Sequence, residues 1–256
     1  MLNSTKYNLA KNNLTLGVGI VQSRVVEIAP LMKTAGFDWL FLDLEHGAMS
    51  TETLSQISAM ALKTDITPIV RIPIGGYSMI SRILDNGSMG IVLPHVEKPE
   101  EAERLVDTAK FAPEGTRGVG GGIVQYDYKN VNLSAATSEL NKQMLLVAMV
   151  ETPNAIENID EIASVEGIDV IMIGTNDLAM ASGCPQDFGN PIIVKSYEKV
   201  AMACKKYGKW LGSGGVKDPD IAKNYIKMGA NFFLAGQDIG FLMSASKDRV
   251  DLLRKD

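Results

Sequence analysis

Only two cysteines and two histidines occur in the 256 residues. Cys184 and Cys204 form no CxxC and no metal-ligand spacing, so a zinc ribbon, a dithiol redox motif and a disulfide scaffold all drop out, and both thiols read as reduced. No apolar run approaches the roughly 20 residues that a bilayer span needs. The polar stretch 1–13 has no apolar signal core. A basic block is also missing: 25 Lys and Arg stand against 30 Asp and Glu, for a net charge of −5. That removes the electrostatic footprint of a nucleic-acid binder. The expectation is a cytoplasmic protein that touches neither membrane nor nucleic acid and works on a small molecule.

Apolar residues make up 46% of the chain, enough to build a sizeable core. They are arranged as eight short β-type runs, at 14–22, 37–44, 67–72, 90–94, 144–150, 169–173, 209–213 and 231–234. Helical spacing fills the intervals at 27–35, 99–110, 191–207, 221–228 and 239–253, with shorter pieces before the 85–87 stop and up to 142. A further helix is predicted from Pro153 to 163. The helix after the second run starts either at Ser50 as N-cap or three residues later, where Thr53 and Gln56 have capping-box spacing. Strands alternating with helices predict one (β/α)8 barrel of TIM type spanning 1–256. A doubly wound open sheet is the alternative, and it lacks a dinucleotide fingerprint after the first strand. Residues 113–130, rich in Gly and Tyr, break the rhythm and read as a flexible or oligomer-contacting loop. The last helix carries Ile239, Leu242, Met243, Val250 and Leu253 on one face.

In such a barrel the C-terminal ends of all strands meet on one rim, which is where these folds do chemistry. The second run ends in Asp43, Glu45 and His46, the third in Arg71, the fifth in Glu151. Gly174, Thr175, Asn176 and Asp177 follow the sixth. Glu151 and Asp177 would repel each other unless a cation lay between them, and Mg²⁺ or Mn²⁺ suits oxygen ligands of this kind. The helix opened by Gly174 to Asp177 would aim backbone N–H groups at an anion. Arg71, at the end of a buried strand, needs a partner, either a neighbouring acid or an anionic ligand. His46 fits a general base if an acid holds its other nitrogen. Asp43, Glu45 and Asp85 are all open for that role. His95 reads as a packed or pocket-lining residue. The glycines Gly118, Gly120, Gly121 and Gly122 lack the Lys-Ser/Thr of a phosphate loop, and Gly214–Gly215 lies where barrels often bind phosphate. Imine chemistry would want a lysine projecting from a strand into the barrel, and the fifth and sixth strand ends carry acids instead.

Six motifs occur in order: GFDWLFLDLEH from Gly36, PIVRIP from Pro68, LDNGSMGIVLPHV from Leu84, APEGTRGVGG from Ala112, VETPNAIENIDEI from Val150 and IGTNDLA from Ile173. Together they resemble the HpcH/HpaI group of class II pyruvate aldolases over most of the chain. The resemblance implies a metal-dependent barrel in a hexamer built as a trimer of dimers, with the last helix packing across the dimer. It implies Glu151 and Asp177 as ligands of a divalent ion (Mg²⁺, Mn²⁺ or Co²⁺) whose shell waters and a 2-oxo acid complete. Arg71 would steady the keto or enolate oxygen, and His46, oriented by Asp85, would relay protons. The N–H groups around Gly174, Thr175 and Asn176 would hold the carboxylate. Asp43, Glu45 and Arg117 would support, Asp43 by holding a water of the ion. The reaction implied is the making or breaking of 4-hydroxy-2-oxo acids through a pyruvate enolate, with an aldehyde as partner. A citrate-lyase-like or malyl-CoA-lyase-like enzyme and a non-catalytic 2-oxo-acid-binding barrel are the alternatives. Met149 stands where relatives often carry glutamine, Thr175-Asn176 where Pro-Ala or Pro-Ser is usual. The tyrosine-rich stretch 125–128 has no match.

Overall fold

Eight parallel strands pair in chain order and the eighth pairs with the first: β1 (Thr15–Ile20), β2 (Trp39–Asp43), β3 (Thr67–Arg71), β4 (Gly90–Leu93), β5 (Leu145–Val150), β6 (Val170–Gly174), β7 (Trp210–Gly214) and β8 (Ala230–Gln237). This computed structural model describes residues 3–120 and 123–254. The closed (β/α)8 barrel is the predicted fold. Side chains alternate across each strand, so one phase packs outward on the helices and the other fills the barrel. Leu40, Leu42 and Val70 belong to the outer cluster. Trp39, Phe41, Val147, Met149, Met172 and Phe232 belong to the inner one. The inner phase continues upward into the acids: Trp39–Phe41–Asp43 on β2, and Val147–Met149–Glu151 at the end of β5. The same alternation that builds the core therefore delivers carboxylates to the rim.

Trp39 is the largest inward side chain. It is fully buried and stacked on Phe232, with ring centroids 4.0 Å apart. Its indole lies over Gly17, its Cα partner on β1, where any β-carbon would overlap the ring. Gly17→Ala is therefore expected to cost about 1–3 kcal/mol by overpacking. That would appear as a lower urea midpoint at unchanged m-value, and an unchanged midpoint would mean that the indole has room to shift.

The helices are α1 (Ser4–Ala10), α2 (Ile28–Thr34), α3 (Thr51–Lys63), α4 (Ile80–Asp85), α5 (Pro99–Ala109), α6 (Leu133–Gln143), α7 (Pro153–Glu157), α8 (Ile159–Ser164), α9 (Thr175–Ala181), α10 (Pro191–Tyr207), α11 (Pro219–Lys227) and α12 (Asp238–Arg254). Ser50 accepts from the N–H of Thr53 at 3.1 Å, which settles the earlier of the two possible starts for α3. The single helix predicted up to 163 is two, which meet at Asn158, whose side-chain amide donates to the Glu97 carbonyl. The stretch read only as polar contains α1, which closes the N-terminal end of the barrel. Asn3 donates to the carbonyls of Met89 and Gln143, Thr5 bonds Thr67, and Leu9 joins the inner core.

Candidate active site

A cavity of about 170 Å³ opens at the C-terminal rim. Its floor is the top of the inner core, with Phe41, Met149, Met172 and Leu234. Its walls carry His46, Arg71, Glu151, the Gly174–Asp177 turn, Gly214–Gly215 and Gln237. Seven of the residues expected from sequence as catalytic, metal-binding or substrate-binding, His46, Arg71, Glu151, Gly174, Thr175, Asn176 and Asp177, thus meet in one pocket. The floor, Gln237 and the role of His95 were not anticipated. Phe41 and Met149 could have been found by following the strand alternation one layer below the acids. Gln237 is reached because β8 runs three residues past its predicted end.

Glu151 is 2% exposed. One oxygen accepts the backbone N–H of His95 at 2.9 Å. His95 has a left-handed backbone, φ 51°, rare for a residue with a side chain. This conformation costs energy, and it accompanies an N–H aimed at the carboxylate. The other face of Glu151 packs on Gly174, where a β-carbon would overlap the carboxyl group. A side chain at the end of β6 would therefore force the Glu151 carboxylate to move. Burial pushes the Glu151 carboxyl up to about 7; the His95 N–H and the charges of His95 and Arg71 oppose this, and Asp177 adds to it. Asp177 is exposed to the pocket.

Asp43 and Arg71 are paired Cα positions on β2 and β3 and face the same side. The guanidinium grips both Asp43 oxygens, Nε to Oδ1 at 2.9 Å and Nη2 to Oδ2 at 2.5 Å. Burial drives the Asp43 carboxyl upward, but the Arg71 hydrogen bonds and charge, with the N–H groups of Glu45 and His46, outweigh it and hold the carboxyl below its ordinary value. Asp43 therefore fixes Arg71 and the turn carrying His46. Arg71 is a structural partner as well as a pocket wall: its Nη1 lies 3.3 Å from Glu45 Oε2. That same oxygen is 3.9 Å from His46 Nε2. The acid beside His46 in this chain is therefore Glu45.

Asp85 does not orient His46 within the chain. α4 runs back from the mouth toward the rim where β4 begins, so its last residue lies toward the opposite rim. There Asp85 pairs with the buried Arg117, Nη2 to Oδ1 at 2.6 Å, in a separate small cavity with Gly120 and Gln125. Arg117 is likewise remote from the pocket, packed over the Phe111 ring. Of the glycine cluster, Gly118 and Gly120 belong to this loop and not to the pocket, while Gly121 and Gly122 lie outside the described residues.

Four carboxylates (Asp43, Glu45, Glu151 and Asp177) face one guanidinium around the pocket, and Glu151 is buried. That excess favours a cation. No cluster of three or more His, Cys, Asp or Glu able to hold a metal occurs among the described residues. A pair of carboxylates suits a hard ion that keeps waters or substrate oxygens, and not a closed tetrahedral zinc site. The residues present fit a divalent ion held by Glu151 and Asp177.

The sequence pattern of the HpcH/HpaI aldolase/citrate lyase family matches residues 21–245. The chain is 34% identical over 231 residues to a 4-hydroxy-4-methyl-2-oxoglutarate aldolase of Hapsidospora irregularis, covering 89% of this chain and 85% of that one. It is 32% identical over 254 residues to a 5-keto-4-deoxy-D-glucarate aldolase of Citrobacter koseri, covering 99% and 97%. The crystal structure of an HpcH/HpaI aldolase from Desulfitobacterium hafniense DCB-2 superposes with a TM-score of 0.93 at 28% identity, over 98% of this chain and 96% of that one. The chain belongs to the HpcH/HpaI aldolase/citrate lyase family. It is a carbon–carbon lyase of the aldolase kind.

Proposed function

We propose that this lyase is a divalent-metal-dependent pyruvate aldolase. It interconverts a 4-hydroxy-2-oxo acid with pyruvate and an aldehyde. The observation that carries the reading is the buried Glu151 carboxylate sharing one pocket with Asp177, Arg71 and His46. A divalent ion held by Glu151 and Asp177 (Mg²⁺, Mn²⁺ or Co²⁺) supplies Lewis-acid polarisation of a keto oxygen. Arg71 presents a fixed positive charge to the enolate oxygen, and its grip on Asp43 means that little reorganises as charge develops. His46, two-thirds exposed at the mouth, exchanges protons between solvent and the reacting carbon, with Glu45 beside Nε2. The N–H groups around Gly174, Thr175 and Asn176 face the substrate carboxylate, and the apolar floor excludes water below it. The same reading takes residues 1–256 as one catalytic domain, working in the cytoplasm, where its two free cysteines stay reduced.

The test is cleavage of the substrates named for the relatives, 4-hydroxy-4-methyl-2-oxoglutarate and 5-keto-4-deoxy-D-glucarate, with released pyruvate followed by lactate dehydrogenase. Metal-dependent pyruvate release from either supports the reading. Cleavage that EDTA leaves untouched would sink the metal part of it.

α12 has no buried residue. Leu242, Met243, Leu252 and Leu253 are each more than 60% exposed. Its first turn alone is tied down, by Asp238 accepting the N–H groups of Val21, Gln22 and Ser23. We infer that this face packs on a second copy of the chain, within a hexamer built as a trimer of dimers. Wild type should sediment as an oligomer, and Leu242→Glu with Leu253→Glu should shift it toward monomer. A wild type that sediments as a monomer at micromolar concentration contradicts the inference.

A further inference from the structure

Neither the Asp177 carboxylate nor the Asn176 amide has a hydrogen-bond partner among the described residues. Both reach the pocket from the turn that opens α9, so their placement depends on what holds that turn. The nearest side-chain anchor is Thr175, which points away from the barrel axis and is fully buried. Its hydroxyl lies 2.8 Å from the hydroxyl of Tyr197 on α10, and that hydroxyl lies 2.7 Å from Ser213 Oγ on β7. All three residues are 0% exposed. Three hydroxyls in a row thus fasten the two segments that form one wall of the pocket, Gly174–Asp177 and Gly214–Gly215.

The ring that carries the middle hydroxyl is itself immobilised. Tyr197 stacks face to face on Tyr225 of α11, with centroids 3.5 Å apart and planes 8° from parallel. The Tyr225 hydroxyl donates to the Phe188 carbonyl in the α9–α10 connection. Burial pushes the Tyr197 phenol far above the ordinary tyrosine range, so it remains a donor throughout the working range of pH. The wall is close-fitted in front as well, since a β-carbon at Gly215 would overlap the Asn176 amide.

We propose that the Tyr197 hydroxyl is a positioning group: by holding Thr175 against Ser213 it sets the placement of Asp177 and Asn176, and with it the affinity of the pocket for the divalent cation and the 2-oxo acid. The inference rests on the reading of Asp177 as a cation ligand. Tyr197 touches no reacting atom. It acts as outer partners of metal ligands generally do, by orienting them, and loss of such partners typically lowers metal affinity about 10–100-fold.

The test is Mn²⁺ binding to metal-free enzyme, with free Mn²⁺ measured by EPR and no turnover involved. Tyr197→Phe keeps the ring stack and removes only the hydroxyl. It is expected to weaken Mn²⁺ binding about 10-fold or more and to raise the KM for pyruvate more than it lowers kcat in methyl-proton exchange. Thr175→Val removes the same bond from the other side and should reproduce the loss, with the double variant no worse than either single one. If Tyr197→Phe fails to fold, Thr175→Val decides. Variants that melt earlier but bind Mn²⁺ as tightly as wild type would overturn the inference, because they show a role in stability alone. A wild type that binds no Mn²⁺ would instead remove the functional reading, and this inference with it.

Discussion

Glu151→Gln is expected to abolish metal-dependent enolisation and at the same time to stabilise the metal-free protein at alkaline pH. The first effect follows from losing one of the two carboxylates, Glu151 and Asp177, proposed above to hold the cation. Lewis-acid stabilisation is worth several kcal/mol, so at about 1.4 kcal/mol per decade the rate should fall about 10³-fold or more. The second effect follows from burial. The Glu151 carboxyl is pushed from 4.5 up to about 7 in the folded chain, so between those values the folded state binds more protons than the unfolded one. Stability of the metal-free wild type should therefore fall as pH rises from about 4.5 through about 7, and stay lowered above. Gln does not titrate, so the variant should lack this component of the pH dependence. The gap in melting temperature should open with rising pH, by roughly 2–4 °C for each kcal/mol relieved. Added metal should close it by stabilising wild type alone. Identical pH dependence of the two proteins without metal would show that Glu151 is not the strained group. Full activity in the variant would remove it as a ligand.

Arg71→Lys keeps the charge and should still fail. The guanidinium spans both Asp43 oxygens and reaches Glu45 with its third nitrogen, while a single ammonium cannot satisfy that fork. Two buried carboxylates are then left incompletely paired, and breaking a buried pair costs about 3–5 kcal/mol when a partner is removed outright. Lysine should fall at or below the lower end of that range. Catalysis should suffer more: loss of one fixed electrostatic donor typically costs about 10²–10³ in kcat. Asp43→Asn separates the two roles, because it leaves the guanidinium in the pocket but frees its orientation. If Arg71→Lys denatures earlier yet enolises pyruvate at the wild-type rate, Arg71 is a structural ion pair and not part of the chemistry.

The strands and the acids at their ends were readable because one regularity, the two-residue alternation, governs both. Val147, Met149 and Glu151 share a phase, as do Trp39, Phe41 and Asp43, so a buried run predicts where its terminal acid points. What escaped reading depends on contacts between distant segments. Asn3 reaches Met89 and Gln143, and nothing local marks residues 4–10 as the barrel's plug. His95 works through a backbone N–H in a left-handed conformation that its side chain does not announce. Asp85 was placed beside His46 by resemblance, but within one chain α4 carries it to the opposite rim, into the grip of Arg117. Glu45, named from the start as a candidate, is the acid that the fold brings to the imidazole. The Thr175–Tyr197–Ser213 chain joins three elements, and no spacing rule links them.

On the proposed function, Glu151, Asp177, Arg71 and His46 together let a bound divalent ion enolise a 2-oxo acid. Deuterium exchange into the methyl group of pyruvate, followed by NMR, reads this step without any knowledge of the aldehyde. Exchange should be absent in EDTA and appear with Mg²⁺, Mn²⁺ or Co²⁺. Substituting His46 should slow it about 10²–10⁴-fold, the usual reach of general acid–base catalysis. Exchange that persists in EDTA, or no exchange with any of the three ions, would contradict the claim.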